Sequence, residues 1–207
     1  MLGSRNPLPS VPWVPTRDEV VEEVLRLVNP RPGDVVYDIG CGDGKVAVAF
    51  ASRYPGARVR CVEIRRDLAE KARANASEKG VKVDVVNADF FEYSFGDADI
   101  IYMYLLTTVN QKLRPKLEKE LRPGTLIVSL DFPVTGWTPL AVVELPRSWQ
   151  RTLYIYVVGF SDPSSLKRSR EEVAAALRKA LERLRLDVLP ENVRARVVEL
   201  AKSYGAL

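Results

Sequence analysis

The chain has 207 residues, 46% of them hydrophobic and 28% charged, the balance of a globular protein able to bury one sizeable core. It contains no histidine, which excludes Ser-His-Asp and Cys-His catalysis, so any chemistry has to run on carboxylates, tyrosine, lysine or a bound cofactor. The net charge of +4 is unevenly placed: residues 161–207 carry ten Lys/Arg against seven Asp/Glu and the rest carries 21 against 20, so the main domain lacks the basic footprint of a nucleic-acid binder.

No apolar run reaches the ~18 residues that a membrane span needs. Residues 1–10 lack the apolar stretch of a signal peptide, and a cytoplasmic protein without membrane contact is expected. Cys41 and Cys61 are the only cysteines and, without histidine, make no tetrahedral zinc site; no metal is expected. They read as two free, buried thiols. A disulfide is the alternative, since cytosolic proteins of hyperthermophiles carry some. Only two glutamines, Gln111 and Gln150, amid plentiful Lys, Arg and Glu hint at such a source.

In chain order, Pro7, Pro9, Pro12 and Pro15 predict an extended entry that Trp13 and Val14 pin to the domain. Thr16 and Glu19 read as a capping box, opening a helix that carries Val21, Val24, Leu25 and Val28 and runs to about Asn29. Strands are expected at 35–39, 58–64, 81–86, 98–104 and 126–130, with helices at 45–54, 67–79 and 107–121, the last broken at Pro115. Alternating β-α units imply a mostly parallel sheet with right-handed crossovers. Segments 140–145 and 153–158 are joined by too short a link for a crossover and form an antiparallel hairpin. Residues 161–165 read as a linker. Beyond it, stripes of Val173, Leu177, Leu181 and Leu184, then Val193, Val197 and Leu200, predict a helical hairpin, either packed on the main domain or serving docking or dimerisation. The division is thus 1–160 for the main domain and 161–207 for a helical extension.

The chemistry concentrates where strands end. Residues 38–44 read D-I-G-C-G-D-G between the first strand and its helix. Glycines there admit a ligand close to the backbone, at the carboxyl ends of the strands near the switch point of a doubly wound sheet. The spacing is G-x-G-x-G with Asp38 two residues ahead, not the dinucleotide G-x-G-x-x-G. A pyrophosphate avoids a nearby anion, whereas an ammonium or sulfonium uses one. Glu63, the polar end of an apolar strand about twenty residues on, suits ribose hydroxyls. Asp89 and Phe90 follow the third strand and suit an adenine amine and ring, or else form an ordinary turn over core aromatics.

Several stretches go further: V-P-W-V-P-T at 11–16, V-Y-D-I-G-C-G-D-G at 36–44, D-F-F-E at 89–92, L-L-T-T-V-N at 105–110, L-R-P-K-L-E-K-E-L at 113–121, and Gly136-Trp137. Through them residues 11–160 resemble the archaeal broad-specificity protein-lysine methyltransferases of the seven-strand class and their eukaryotic mitochondrial relatives. The resemblance implies an α/β, Rossmann-like sheet of five parallel strands plus an antiparallel hairpin, S-adenosyl-L-methionine as cofactor, and lysine side chains of protein substrates as acceptors. By position it implies that Pro15 and Thr16 close over the methionine end, that Asp38, Gly40 and Gly42 hold the amino-acid moiety, and that Glu63 with Ile64 binds ribose. It gives Asp89 and Phe90 the adenine, and Tyr104 and Leu105 the channel where the acceptor nitrogen arrives, Tyr104 being the catalytic candidate. Leu130-Asp131-Phe132 departs from the family's His-Glu-Phe after the fifth strand, and residues 161–207 lie outside the pattern.

With no histidine, the acceptor's proton is expected to leave through water while Tyr104 positions the nitrogen. Alternatives are an RNA or DNA methyltransferase, a small-molecule methyltransferase, and a non-catalytic cofactor-binding protein. Against the first, enzymes that methylate base amines show an Asp/Asn-Pro-Pro-Tyr type motif after the fourth strand. Here that place reads Y-M-Y-L-L at 102–106.

Overall fold

The computed structural model describes residues 13–146 and 148–207. The expectations for Pro7, Pro9, Val11 and Pro12 lie outside the described residues. Helix α1 (Asp18–Leu27) buries Val20, Val21, Val24, Leu25 and Leu27 along one side. Then β1 (Val35–Ile39), α2 (Lys45–Arg53), β2 (Arg58–Glu63), α3 (Arg66–Glu78), β3 (Val83–Asn87), β4 (Ile100–Met103), α4 (Thr107–Glu120) and β5 (Leu126–Leu130) alternate, before the hairpin β6 (Ala141–Glu144) and β7 (Thr152–Val157). The seven strands pair in the order β3-β2-β1-β4-β5-β7-β6, with only the β7 pairings antiparallel among them. Strand order reverses direction at β1, which pairs with both β2 and β4, so the switch point lies between β1 and β4.

β1 and β5 are buried along their whole lengths, as strands covered on both faces must be. On one face α1, α2 and Ala72 of α3 share a core with α5 (Arg170–Leu181) and α6 (Glu191–Tyr204), through Val173, Leu177, Val197 and Ala201. On the other, Val109, Leu113 and Leu117 of α4 pack with Tyr37, Phe95, Ile101 and Trp137. No helix among the described residues is long and apolar enough to cross a membrane.

The C-terminal helices are fastened by charge as well as by apolar burial. Arg183, buried, donates to both oxygens of Asp34 at 2.8 and 2.6 Å and to Asp99 at 3.2 Å. Asp34 and Asp99 immediately precede β1 and β4, so the tail grips the amino ends of the strands, opposite the glycine loop. Burial would raise the Asp34 pKa, yet hydrogen bonds from Arg183 and the Arg31 backbone together hold it below the ordinary value.

Four local expectations are corrected. Thr16 does not cap α1: the helix starts at Asp18 behind an extended Arg17, with no side-chain cap, because the Thr16 hydroxyl is spent on Tyr102 instead. Pro115 does not break α4; it is exposed, so water can satisfy the Gln111 carbonyl that loses its partner. Cys41 and Cys61 are not free thiols. Pairing of β1 with β2 brings their Cα atoms to 5.5 Å and they form a disulfide. Residues 161–165 are no slack linker: the Ser161 hydroxyl accepts from the Val157 N–H at 2.9 Å, the Asp162 carboxylate accepts from the Gly159 N–H, and a 3-10 turn spans Pro163–Lys167.

Candidate active site

The carboxyl ends of β1, β2, β3 and β4 gather the residues singled out in the sequence. Gly40 and Gly42 both have left-handed backbones, at φ 70° and 57°. A Cβ on Gly40 would sit 2.8 Å from Leu105 Cδ2, and one on Gly42 would meet the Trp13 indole at 2.1 Å. Only glycine therefore permits both the turn and the close approach. Glu63 fastens the loop from β2: one oxygen accepts from the Gly42 N–H at 2.9 Å and the other from the Arg65 N–H at 2.8 Å. The Cys41–Cys61 disulfide ties the same loop to the same strand.

Asp38 is buried at the carboxyl half of β1 and accepts from the Ala47 N–H in the first turn of α2 at 3.1 Å. Burial pushes its pKa up to about 8; the Ala47 hydrogen bond opposes this, while Glu63 and Asp43 add to it. Among the described residues no Lys or Arg pairs with this buried acid, which lies beside two more carboxylates, and a ligand's cationic group would supply the missing charge. With Glu63 at the loop, this donor set fits a cationic ligand bearing hydroxyls.

Further along, Ile64 is 53% exposed at the end of β2, an apolar side chain open to a ligand. The Ala88 N–H donates to the Glu63 carbonyl at 3.1 Å, so Asp89 and Phe90 follow directly beside β2. Asp89 accepts from the Phe91 N–H at 2.8 Å and so also shapes its own turn, while Phe90 packs 4.8 Å from Phe91.

The segment 13–17 crosses this end of the sheet as a strap. Trp13 lies over Gly42, with Lys71 Nζ 5.3 Å from its ring. Thr16 Oγ1 is 2.9 Å from the Tyr102 hydroxyl. Gln150, fully buried in the β6–β7 turn, donates to the Pro15 carbonyl at 3.1 Å and accepts from the Arg17 N–H at 2.8 Å. Sequence reading gave neither Gln150 nor Tyr102 a role. The available signals were a glutamine in a chain with only two, and a tyrosine on the same strand face as Tyr104.

Tyr104, half-buried past the end of β4, stacks on Phe132 with ring centroids 5.9 Å apart. Its hydroxyl lies near the Gln150 amide and the Asp131 carboxylate, both of which act on its pKa. Burial is the largest cause raising its pKa, so it stays protonated at neutral pH. Asp131 has a left-handed backbone, φ 57°, the sole non-glycine case among the described residues.

Comparison with known proteins agrees with this geometry. The ANTKMT methyltransferase domain matches residues 38–141, from the acid of the glycine loop to the start of β6. A protein-lysine N-methyltransferase of Saccharolobus islandicus (strain REY15A) is 39% identical over 155 residues, covering 73% of this chain and 96% of that one. The adenine nucleotide translocase lysine N-methyltransferase of Mus musculus is 35% identical over 136 residues, and the chain spans 58% of its length. Among solved structures, an RNA methyltransferase from Salinibacter ruber in complex with S-adenosyl-L-homocysteine superposes with TM-score 0.65 at 41% identity, covering 70% of this chain and 94% of that one. With this sheet, this loop and these matches, the chain belongs to the ANTKMT methyltransferase domain family.

Proposed function

We propose that this protein is an S-adenosylmethionine-dependent methyltransferase that acts on lysine side chains of proteins. The observation that carries the reading is the placement of Tyr104 beside Leu105, whose side chain touches the glycine cradle at Gly40. Tyr104 and Phe132 therefore stand beside the glycine loop that would hold the cofactor. The lysine activity of the Saccharolobus relative, matched over nearly its whole length, supports the choice of acceptor.

The cofactor supplies a methyl group on a sulfonium; the chain's own residues bind, orient and desolvate. Asp38 would hold the cationic end, Glu63 the hydroxyls, and Asp89 with Phe90 the purine. Pro15 and Thr16, held by Gln150 and Tyr102, would close over the methionine end. A free lysine has a pKa of ~10.4, so only about one molecule in 2,500 is neutral at pH 7. Tyr104 and Phe132 hold the acceptor nitrogen in line, and alignment alone is worth ~7–11 kcal/mol. Tyr104, being protonated, positions the nitrogen and does not take its proton.

An RNA acceptor is the second reading, favoured by the described activity of the Salinibacter neighbour. The tip of β4 argues against it, for residues 102–106 offer neither a proline pair nor an amide to receive a base amine. Incubation with methyl-labelled cofactor and a cell lysate, followed by protease or nuclease, separates the two. Label lost to protease and mapped to lysine supports the proposal. Label lost to nuclease, or mapped to arginine or carboxylates, overturns it.

A further inference from the structure

The β5 tip holds a carboxylate that the cofactor cradle does not use. Asp131 follows Leu130, one strand over from Tyr104: the β4–β5 register pairs Met103 with Ser129, so the residues after each strand end lie side by side. Its Oδ1 accepts from both the Arg151 and Thr152 N–H groups, at 2.6 and 3.0 Å, and its own N–H donates to the Thr152 carbonyl at 2.7 Å. These bonds hold the residue in a left-handed backbone that side chains rarely adopt. Among the described residues its hydrogen-bond partners are backbone groups, with no ion pair to a Lys or Arg. Next to it stand the stacked rings of Tyr104 and Phe132, with the Tyr104 hydroxyl near enough for the carboxylate to act on its pKa.

A half-buried carboxylate that no Lys or Arg among the described residues pairs with, at the end of an aromatic wall, suits an alkylammonium. An alkylammonium places its methylenes and positive charge against ring faces and its N–H groups on anionic oxygen. A neutral base amine gains nothing from the charge, and the phosphates that accompany it are repelled. We propose that Asp131, with Tyr104 and Phe132, forms the subsite that recognises the acceptor's alkylammonium, and that Asp131 is the specificity-determining residue for a cationic acceptor. Gln150 is the positioning residue of this subsite, since one buried amide lies near the Tyr104 hydroxyl and holds the strap at Pro15 and Arg17. This inference rests on the lysine reading and deepens it.

Asp131→Asn tests it cleanly. Asparagine tolerates the left-handed backbone, and its carbonyl oxygen can accept from the same two N–H groups, so the charge alone is removed. The probes are a lysine-bearing peptide and the same peptide with norleucine at that position, titrated against full-length protein saturated with S-adenosylhomocysteine. The wild type is expected to favour lysine, and the variant to lose that preference by roughly tenfold to a hundredfold, the size of one charge-assisted contact. Cofactor affinity is expected to stay within a factor of about two, which also reports an intact fold. If the variant retains the preference for lysine, the proposal is overturned and the lysine reading stands. If the wild type neither prefers nor methylates lysine, the lysine reading itself fails and the subsite falls with it. Should Asp131→Asn not fold, Phe132→Leu removes half the aromatic wall while leaving the carboxylate. Its lysine preference is expected to fall severalfold, and an unchanged preference overturns the aromatic part of the subsite and with it the proposal.

Discussion

Thr16 Oγ1 lies 2.9 Å from the Tyr102 hydroxyl, a buried contact between residues 86 apart in the chain. It pins the strap to the strand beside the glycine loop. Burial pushes the Tyr102 pKa well up, so the pair stays neutral and hydrogen-bonded at every working pH.

Tyr102→Phe is therefore expected to destabilise the protein by about 1–3 kcal/mol, because the Thr16 hydroxyl is left buried without its partner. Adding Thr16→Val is expected to recover part of that loss by removing the orphan. Denaturant unfolding of the two single variants and the double variant measures the coupling. Strictly additive losses would show that the contact contributes nothing.

Asp38 makes stability and cofactor binding depend on pH. The folded protein keeps its proton up to about pH 8, whereas a free aspartate releases it near 3.8. Its contribution to stability is thus full below pH 3.8 and is lost as the pH rises through about 8. The cofactor-free protein is expected to weaken over that window, and Asp38→Asn to flatten the decline. Binding a cationic ligand there favours the carboxylate, so cofactor binding at pH 7 is expected to release a proton. Calorimetry in two buffers of different ionisation enthalpy detects it; an identical heat in both contradicts the placement of the cation at Asp38.

The Cys41–Cys61 bridge closes a loop of 20 residues that contains the glycine turn and α2. Replacing both cysteines by alanine is expected to cost about 3 kcal/mol under oxidising conditions, on the chain-entropy account. A reductant is expected to lower the wild-type unfolding midpoint and to leave the double variant unmoved. Equal sensitivity in both would mean that the thiols are unpaired in solution.

Arg183 pairs with the buried Asp34 and the half-buried Asp99, which also meets Arg122. Arg183→Met is expected to destabilise by about 3–5 kcal/mol because Asp34 is left buried without its partner. The depressed Asp34 pKa contributes stability that is present above its unfolded value and lost as pH falls through the folded one, so the variant's deficit is expected to shrink in acid. A chain ending at residue 160 loses both this clamp and the apolar burial of α5 and α6. It is expected to be much less stable, yet to bind cofactor wherever it remains folded, since the clamp lies at the amino ends of the strands. A folded truncation with no cofactor affinity would refute that separation.

Tyr104→Phe is expected to retain partial activity, because a hydroxyl whose pKa burial has raised acts as a positioning group. With subsaturating lysine, the rate is expected to rise about tenfold per pH unit until the acceptor's pKa in the channel is approached. A near-complete loss in the variant, or a rate that stays flat from roughly pH 6 to 9 with chemistry limiting, would rule out catalysis without a base.

Much of the fold is legible in short windows. β1, β5 and α6 fall where apolar runs and helical stripes place them, and Gly80 ends its helix region with φ 65°. Asp38, Glu63 and Asp89 stand out in the sequence because each lies at or just past the carboxyl end of a strand, and a parallel sheet brings such ends together. Thr16 misleads for a physical reason: a hydroxyl that could cap its own helix finds a partner in the folded core instead. Pro115 misleads because it lies on the exposed side of α4, where water can satisfy the Gln111 carbonyl left without a donor.

The sequence by itself determined the β-α order, the glycine loop with its acids, and the absence of any histidine base. These are local matters of periodicity, punctuation and residue chemistry. Only the tertiary structure decided that Gln150 holds the strap, that the cysteines pair, that Arg183 reaches Asp34 across 149 positions, and that Asp131 stands beside Tyr104. Each is a contact between distant segments. Its partners are chosen by strand order and register, which the whole sheet sets and no short stretch of sequence encodes.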